Sequence, residues 1–226
     1  MHKKIIIATI DTETCGLKPN NLVYDIGLVI HDKRGNVLAK YTALVKEIFT
    51  DAEKMTSAYY AKKLFTHYAP MLERGDIKIK PWRIICAEVQ ALITEHDVSV
   101  IAAYNLKFDR DALTKTGQQL GSSLLPRRSG GYKMLDIWLF ACLTKLRQKT
   151  YSALARTMGW ASNKGNIKTT AEHAFRYISG KYDFDEDHTA LSDAEIEVII
   201  LRECFRQKKQ IPYNIIERSP WKHAQA

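Results

Sequence analysis

The stretch Lys3-Lys4-Ile5-Ile6-Ile7-Ala8-Thr9-Ile10-Asp11-Thr12-Glu13 decides the fold class. Residues 5–10 are almost continuously apolar and mostly β-branched, which is typical of a central strand buried on both faces. Asp11 and Glu13 follow at the expected strand end, and side chains two residues apart in an extended segment point to the same side. Two like charges placed there repel each other unless a cation lies between them. The pair alone is equally explained as a surface pair, because a chain with 25 acidic residues contains about one D-x-E by chance.

The patterns around this stretch predict a mixed α/β sheet. Two more strands are expected at residues 22–30 and 36–45, and they form a meander with the first strand. Helical spacing then predominates over residues 51–72, and Pro81 is well placed in the first turn of a helix that ends near Glu95. Further strands are expected at 98–103 and 133–136, and further helices at 105–120, 137–146, 151–158, 169–178 and 190–207. This order of elements predicts a sheet flanked by helices.

The composition is that of a globular protein. Hydrophobic residues make up 46% of the 226 residues, with 6 Pro and 11 Gly, which excludes disordered and collagen-like classes. The longest purely apolar run, residues 137–143, is far shorter than the roughly 18 to 20 residues that cross a bilayer. We therefore expect no membrane partner and a cytoplasmic location. The 4 cysteines stand singly, a pattern that fits neither a disulfide framework nor a zinc site.

The charge balance favours a polyanionic partner. Lys and Arg number 34 against 25 Asp and Glu, a formal net charge of +9, and such an excess favours binding to the phosphates of nucleic acid. Aromatic and basic residues alternate near residues 59–68, a pattern that suits single-stranded nucleic acid but equally suits a helix packing its aromatics on the sheet. No repeat or linker divides the sequence, so we expect one domain over residues 1–207 and a basic C-terminal tail over 208–226.

Two further acidic motifs lie at the starts of predicted helices. In Asn105-Leu106-Lys107-Phe108-Asp109, the carboxylate falls in the first helical turn after an apolar strand. In His188-Thr189-Ala190-Leu191-Ser192-Asp193, the carboxylate falls near the start of the last helix. Taken singly, each acid is also explained by the helix macrodipole. Ligands of open α/β sheets bind beyond the carboxyl ends of the strands, and four acids that meet there suit two divalent cations such as Mg²⁺ or Mn²⁺.

Together these motifs resemble the three exonuclease motifs of the DEDDh branch of the DnaQ-like 3′→5′ exonucleases. The resemblance is carried by Asp11-Thr12-Glu13-Thr14-Cys15-Gly16-Leu17, by Asn105 with Phe108-Asp109, and by His188 with Asp193. It extends over about the first 205 residues. The resemblance implies a ribonuclease H-like fold, with one antiparallel strand in a five-stranded mixed sheet, and two-metal hydrolysis of nucleic acid from its 3′ end.

The resemblance also implies roles for individual residues. The two metal ions would be held by Asp11, Glu13, Asp109 and Asp193. His188 would be the general base, a role that suits a group titrating near neutrality. Contacts to the terminal nucleotides are expected from Thr12, Cys15, Gly16, Leu17, Asn105 and Phe108. Cys15 departs from the family, which commonly has Thr there, and a lost hydroxyl at this position would bear on the choice between DNA and RNA.

These expectations define one leading function and two alternatives. The leading function is a 3′→5′ exonuclease that uses Mg²⁺ or Mn²⁺ and releases nucleoside 5′-monophosphates, with single-stranded DNA favoured over RNA. An exoribonuclease with the same site is the first alternative, because nothing in the motifs senses the 2′-hydroxyl. The second is a non-catalytic module that binds nucleic acid or a polymerase, although the sequence contains no motif that identifies such a protein partner.

Overall fold

The computed structural model describes residues 4–16, 21–56, 63–162, 164–207 and 209–224, and these form one six-stranded sheet with helices on both faces. The strands are β1 (Ile6–Cys15), β2 (Leu22–Asp32), β3 (Val37–Val45), β4 (Ile79–Lys80), β5 (Val100–Ala103) and β6 (Lys133–Asp136). The α-helices are α1 (Lys46–Phe49), α2 (Ala52–Thr56), α3 (Ala69–Arg74), α4 (Trp82–Glu95), α5 (Leu106–Leu120), α6 (Ile137–Leu143), α7 (Lys149–Thr157), α8 (Ala171–Ser179) and α9 (Ala190–Phe205). Within the described ranges, no helix is both long and apolar enough to cross a membrane.

The strand order β4-β3-β2-β1-β5-β6 confirms the predicted mixed sheet. Strand β2 is antiparallel to both of its neighbours, whereas β1, β5 and β6 pair in parallel, as do β3 and β4. Five strands were expected from the sequence and all five are present. The additional strand, β4, has two residues at the edge of the sheet, which is too short to produce a periodic pattern.

The first strand is longer than the sequence predicts. Asp11 and Glu13 were expected just after its end, but β1 continues to Cys15 and both acids lie within it. The reason is the β1–β2 hairpin, whose ladder runs to Cys15, whereas the parallel neighbour β5 pairs only with Ile7 to Thr9. The second half of β1 therefore extends past the end of β5, and its carboxylates still lie at the carboxyl edge of the parallel strands.

The described residues of the region expected to be helical, 51–56 and 63–72, do not form one regular α-helix. Instead, α2 is followed by a π-helical turn at Leu64–Tyr68 and then by α3, while residues 57–62 lie outside the described part of the chain. Pro70 lies in the first turn of α3, where it has no N–H to donate to the preceding turn, so a regular α-helix cannot run through it. Tyr68 is fully buried, whereas Phe65 is exposed.

Both faces of the sheet are covered by apolar side chains. In β1, Ile6, Ala8 and Ile10 pack with the core that includes α4, whereas Ile7 packs with the core that includes α6, α7 and α8. This alternation is the period of an extended strand. The described part of the expected tail, residues 209–224, also packs on the domain: Asn214 exchanges hydrogen bonds with the backbone of Met134 in β6 at 2.7 and 2.9 Å.

Gly27 in β2 allows α9 to begin directly against the sheet. A Cβ atom at this position would lie 2.2 Å from the backbone carbonyl carbon and oxygen of Ala190, and 2.4 Å from the backbone nitrogen of Leu191. These are main-chain atoms, which cannot rotate out of the way. Gly27 also pairs with Asp11 in the β1–β2 ladder, so this close contact sets the distance between α9 and the acidic end of β1.

We expect Gly27→Ala to lower the free energy of unfolding by about 1–3 kcal/mol or more, because the added methyl group must displace the start of α9. Urea denaturation followed by circular dichroism measures this change. Leu38→Ala, at a position of β3 that is 41% exposed, is the control and is expected to change stability by no more than about 0.5 kcal/mol. Equal decreases in the free energy of unfolding for the two substitutions would contradict the close contact between Gly27 and α9.

Candidate active site

A cavity of about 630 Å³ opens at the carboxyl edge of the sheet, where β1 extends past β5. Four elements and one loop contribute acidic or basic side chains to it: β1, the first turn of α5, the first turn of α8, the start of α9 and the loop that precedes α9. The acidic and histidine residues that line it are Asp11, Glu13, Asp109, Glu172, Glu186, His188, Asp193 and Glu197. The structure thus brings together all five residues for which the sequence predicts a metal or general-base role.

Asp109 is held in one orientation by the strand beside it. Strand β5 ends at Ala103, Asn105 adopts a left-handed conformation with φ of 63°, and α5 begins at Leu106, so Asp109 falls in its first turn. The Asp109 Oδ1 atom accepts hydrogen bonds from the Thr12 backbone N–H at 3.1 Å and from the Thr12 hydroxyl at 2.8 Å. Thr12 was expected to contact substrate, but in this structure its hydroxyl orients a carboxylate of the site.

Only some of the residues expected to bind the terminal nucleotides line the cavity. Thr12, Gly16 and Phe108 line the cavity, and Leu17 lies outside the described residues. Asn105 and Cys15 are not among the described residues that line it. Asn105 is exposed at the start of α5, where its backbone carbonyl accepts a hydrogen bond from the Phe108 N–H at 2.8 Å.

Cys15 points away from the cavity because the strand is irregular. Regular alternation would place Cys15 on the same side as Asp11 and Glu13, but the ladder with β2 shifts register between Glu13 and Thr14. The Cys15 side chain is consequently 2% exposed and packs in the core with Ile10. Cys15 therefore does not line the cavity, and we draw no conclusion about DNA and RNA from its substitution for Thr.

The buried carboxylates raise one another's pKa values. Burial raises the pKa of Glu13 to about 9, and the neighbouring Asp193 and Asp25 add to the effect. Burial likewise raises the pKa of Asp109 to about 7, against the lowering effect of the Thr12 hydrogen bonds. The pKa of Asp11 is raised well above its usual range by burial first and then by the charges of Asp109 and three other carboxylates. So much negative charge in one cavity requires either protons or a cation.

This donor set fits hard divalent cations. Carboxylate oxygens are the ligands that Mg²⁺ and Mn²⁺ prefer, and the acids of the cavity come from separate elements that converge on it. One ligand atom from each of Glu13, His188 and Asp193 can be chosen so that all three lie within 4.8 Å of one another. These three groups lie close enough together to hold one cation, and Asp11 and Asp109 are not part of this closest group.

The metal-free protein is expected to lose stability as the pH rises. Folded Glu13 keeps its proton to about pH 9, whereas the unfolded chain releases it near the ordinary pKa of 4.5. Between these values the folded chain binds more protons than the unfolded chain, so the free energy of unfolding falls with increasing pH. In a chelating buffer we expect the melting temperature to fall across this window, and to fall less in Asp11→Asn, which removes one repelling charge. A pH-independent melting temperature, or equal slopes for the two proteins, would contradict the electrostatic account.

His188 is held in an unusual backbone conformation beside two acids. Its φ is 50°, in the left-handed region that non-glycine residues seldom adopt, and such strain is concentrated at functional sites. The Nδ1 atom lies 3.6 Å from Glu186 Oε2 and 3.8 Å from Asp193 Oδ2. The interaction with Asp193 raises the pKa of His188, against the opposing effect of partial burial. The side chain is therefore placed to carry a proton at the wall of the cavity.

Asp25 fixes the start of α9 without lining the cavity. Its Oδ2 atom accepts hydrogen bonds from the Tyr68 hydroxyl at 2.8 Å and from the Ala190 backbone N–H at 3.0 Å. The sequence predicts a structural role for this acid, and these contacts provide one, because they join β2, the π-helical turn and α9. Asp111, also predicted to be structural, pairs with Lys107 on the surface of α5.

Three acids of the cavity were missed from the sequence: Glu172, Glu186 and Glu197. Glu197 is 2% exposed and follows Asp193 by four residues, so a helical face drawn through Asp193 would have found it. Glu186 lies two residues before His188, and burial raises its pKa to about 7, with Asp193 adding to the effect. Its Oε1 atom is buried without a hydrogen-bond partner. No sequence signal separates Glu186 from the other acids of its loop, Asp183, Asp185 and Asp187.

Comparison with solved structures identifies the architecture. The chain superposes on E. coli exonuclease I in complex with a dT13 oligonucleotide with a TM-score of 0.58 at 17% sequence identity, covering 91% of this chain and 41% of that one. The chain has the ribonuclease H-like fold. The zinc-bound form of the E. coli exonuclease I–ssDNA complex gives a TM-score of 0.59 at 16% identity, covering 92% of this chain and 42% of that one. No family model and no curated protein matches the sequence.

The shared fold covers only part of the exonuclease I chain. The apo form of exonuclease I gives a TM-score of 0.54 at 18% identity, covering 88% of this chain and 42% of that one. This chain therefore spans about two fifths of the length of the solved exonuclease I chains. The ribonuclease H-like fold confirms the fold expected from the resemblance to DnaQ-like exonucleases.

Proposed function

We propose that this protein is a cation-dependent 3′→5′ exonuclease that releases nucleoside 5′-monophosphates from nucleic acid, with single-stranded DNA as the favoured substrate. The observation that carries the proposal is the meeting of Asp11, Glu13, Asp109, His188 and Asp193 in one cavity of a ribonuclease H-like sheet. Exonuclease I, which shares the fold, has been solved with single-stranded DNA and with product.

The four predicted carboxylates would hold two Mg²⁺ or Mn²⁺ ions. Bound in pairs, such ions lower the pKa of an attacking water and stabilise the leaving oxygen of a phosphodiester. The Thr12 hydroxyl orients Asp109 by a hydrogen bond. Asp193 is positioned by the start of α9, which the contacts of Gly27 and Asp25 hold against β2. The fold thus places these carboxylates before any substrate arrives.

His188 would accept the proton that the attacking water loses. Its side chain lines the cavity, and Asp193 and Glu186 lie near its Nδ1 atom, where they favour the protonated imidazole. The raised pKa therefore stabilises His188 after it has taken the proton. A positioned base of this kind typically contributes about 10² to 10⁴ in rate.

The substrate would enter beside Phe108 and Gly16. Both residues line the cavity, and an aromatic ring such as that of Phe108 stacks on a base regardless of sequence. The net charge of +9 favours binding to the phosphate backbone of nucleic acid. Lys and Arg that neutralise phosphates release bound counterions, and this release adds to the affinity. The four cysteines are buried free thiols, and we place the protein in the reducing cytoplasm.

A labelled-strand assay tests the proposal. Purified protein is incubated with a 5′-labelled single-stranded DNA and with an RNA of the same sequence, in Mg²⁺, in Mn²⁺ and in chelator. We expect a ladder that shortens from the 3′ end, only with metal, and faster on DNA. Faster shortening of the RNA would make the protein an exoribonuclease. Folded protein that cleaves neither strand would support a non-catalytic binding module instead.

A further inference from the structure

Glu197 lies in the acidic cavity, although it belongs neither to the three sequence motifs nor to the four expected metal ligands. It is one helical turn after Asp193 on α9, its side chain is 2% exposed, and it lines the same cavity as Asp109. Its Oε2 atom accepts a hydrogen bond from the Tyr104 backbone N–H at 3.1 Å. This bond fixes the side chain at the junction between β5 and α5.

A structural role alone does not explain a carboxylate at this position. The Tyr104 N–H needs only an acceptor, and a neutral side chain would supply one without the cost of burying a charge. Among the described residues, no Lys, Arg or His forms an ion pair with Glu197, and Asp109 and Asp193 are the charges that act on it most strongly. A carboxyl group in such surroundings takes up either a proton or a cation, and a cation bound here would stabilise Glu197 together with Asp109 and Asp193.

We propose that Glu197 is a fifth cation-binding carboxylate of this cavity, which strengthens the binding of a divalent cation on the Asp109 side of the site. This inference rests on the proposed function, because it assigns a further residue to the same cation site. Held by Tyr104 and by the helix that carries Asp193, Glu197 reaches the cavity in a fixed position, so its contribution requires no rearrangement. Loss of the Glu197 carboxylate should therefore lower the affinity of the protein for a divalent cation, and that affinity is the first quantity to measure.

Titration calorimetry with Mn²⁺ tests this role. Wild-type protein, Glu197→Gln and Glu195→Gln are each freed of metal by chelator and dialysis, then titrated with MnCl₂. Gln keeps the shape of Glu and offers an oxygen to the Tyr104 N–H, so only the charge is lost. We expect Glu197→Gln to bind Mn²⁺ about 10- to 100-fold more weakly. Glu195→Gln, on the same helix but 41% exposed and paired with Lys40, is expected to bind as the wild type does.

A second variant and a stability measurement separate this role from folding. Glu197→Asp keeps the charge on a shorter side chain and is expected to bind Mn²⁺ with an affinity between those of the wild type and Glu197→Gln. Thermal unfolding in chelator is expected to remain cooperative for all variants. Wild-type affinity in a folded Glu197→Gln would overturn the inference and leave the proposed function standing. Wild-type protein that binds no Mn²⁺ would overturn both.

Discussion

Asp11→Ala is expected to abolish strand cleavage, with a loss of about 10³-fold or more. Asp11 lies at the centre of the acidic cavity, where its charge interacts with Asp109, Glu197, Asp193 and Glu13. The substitution removes a carboxylate that would hold the metal ions, and no neighbouring side chain replaces it from the same strand position. Single-turnover cleavage of a 5′-labelled strand in Mn²⁺ measures the loss.

The same variant should fold at least as stably as the wild type in chelator. Removing one of several buried like charges relieves repulsion, so a lower activity cannot be explained by unfolding. Asp111→Ala is the matched control, because that acid lies on the surface of α5 and pairs with Lys107. It should leave the cleavage rate unchanged. Cleavage by Asp11→Ala at the wild-type rate would remove the basis for the metal assignment.

His188→Ala is expected to lower the cleavage rate by about 10² to 10⁴ while Mn²⁺ still binds. The imidazole is placed by a strained backbone with φ of 50° and by the Asp193 and Glu186 carboxylates near its Nδ1 atom. Its loss removes the proton acceptor but leaves all the carboxylates in place. The measurement is the single-turnover rate at saturating Mn²⁺, paired with a Mn²⁺ titration of the same protein.

The matched control for this substitution is His223→Ala. His223 pairs with Glu217 near the C-terminus and is not among the residues that line the cavity. We expect this variant to cleave at the wild-type rate. If His188→Ala cleaved as fast as His223→Ala at neutral pH, another group would have to accept the proton.

Much of the fold follows from local sequence patterns. The apolar run that begins β1 predicts a buried central strand, and the alternation of strands and helices after residue 98 predicts the parallel part of the sheet. Where the prediction is wrong, a longer-range or stereochemical cause is present. The hairpin with β2 carries β1 to Cys15, and a π-helical turn precedes Pro70 within the region expected to be a regular helix.

The site shows the same division between what a pattern can predict and what it cannot. Asp11, Asp109 and His188 come from motifs far apart in sequence, and the fold brings them to one cavity. The orientation of Cys15 could not be predicted, because it depends on a register shift that leaves no mark in the residue pattern. Glu197 lies one helical turn after Asp193 on α9, so the helical period could have found it, whereas no pattern separates Glu186 from the other acids of its loop.

A crystal structure of the protein grown with Mn²⁺ and thymidine 5′-monophosphate, with anomalous diffraction collected at the manganese edge, would show whether the four carboxylates hold two cations. We expect two manganese peaks about 3.5 to 4 Å apart, bound by Asp11, Glu13, Asp109 and Asp193, with the nucleotide phosphate beside them. Ordered carboxylates with no manganese among them, or manganese bound only elsewhere on the protein, would contradict this expectation.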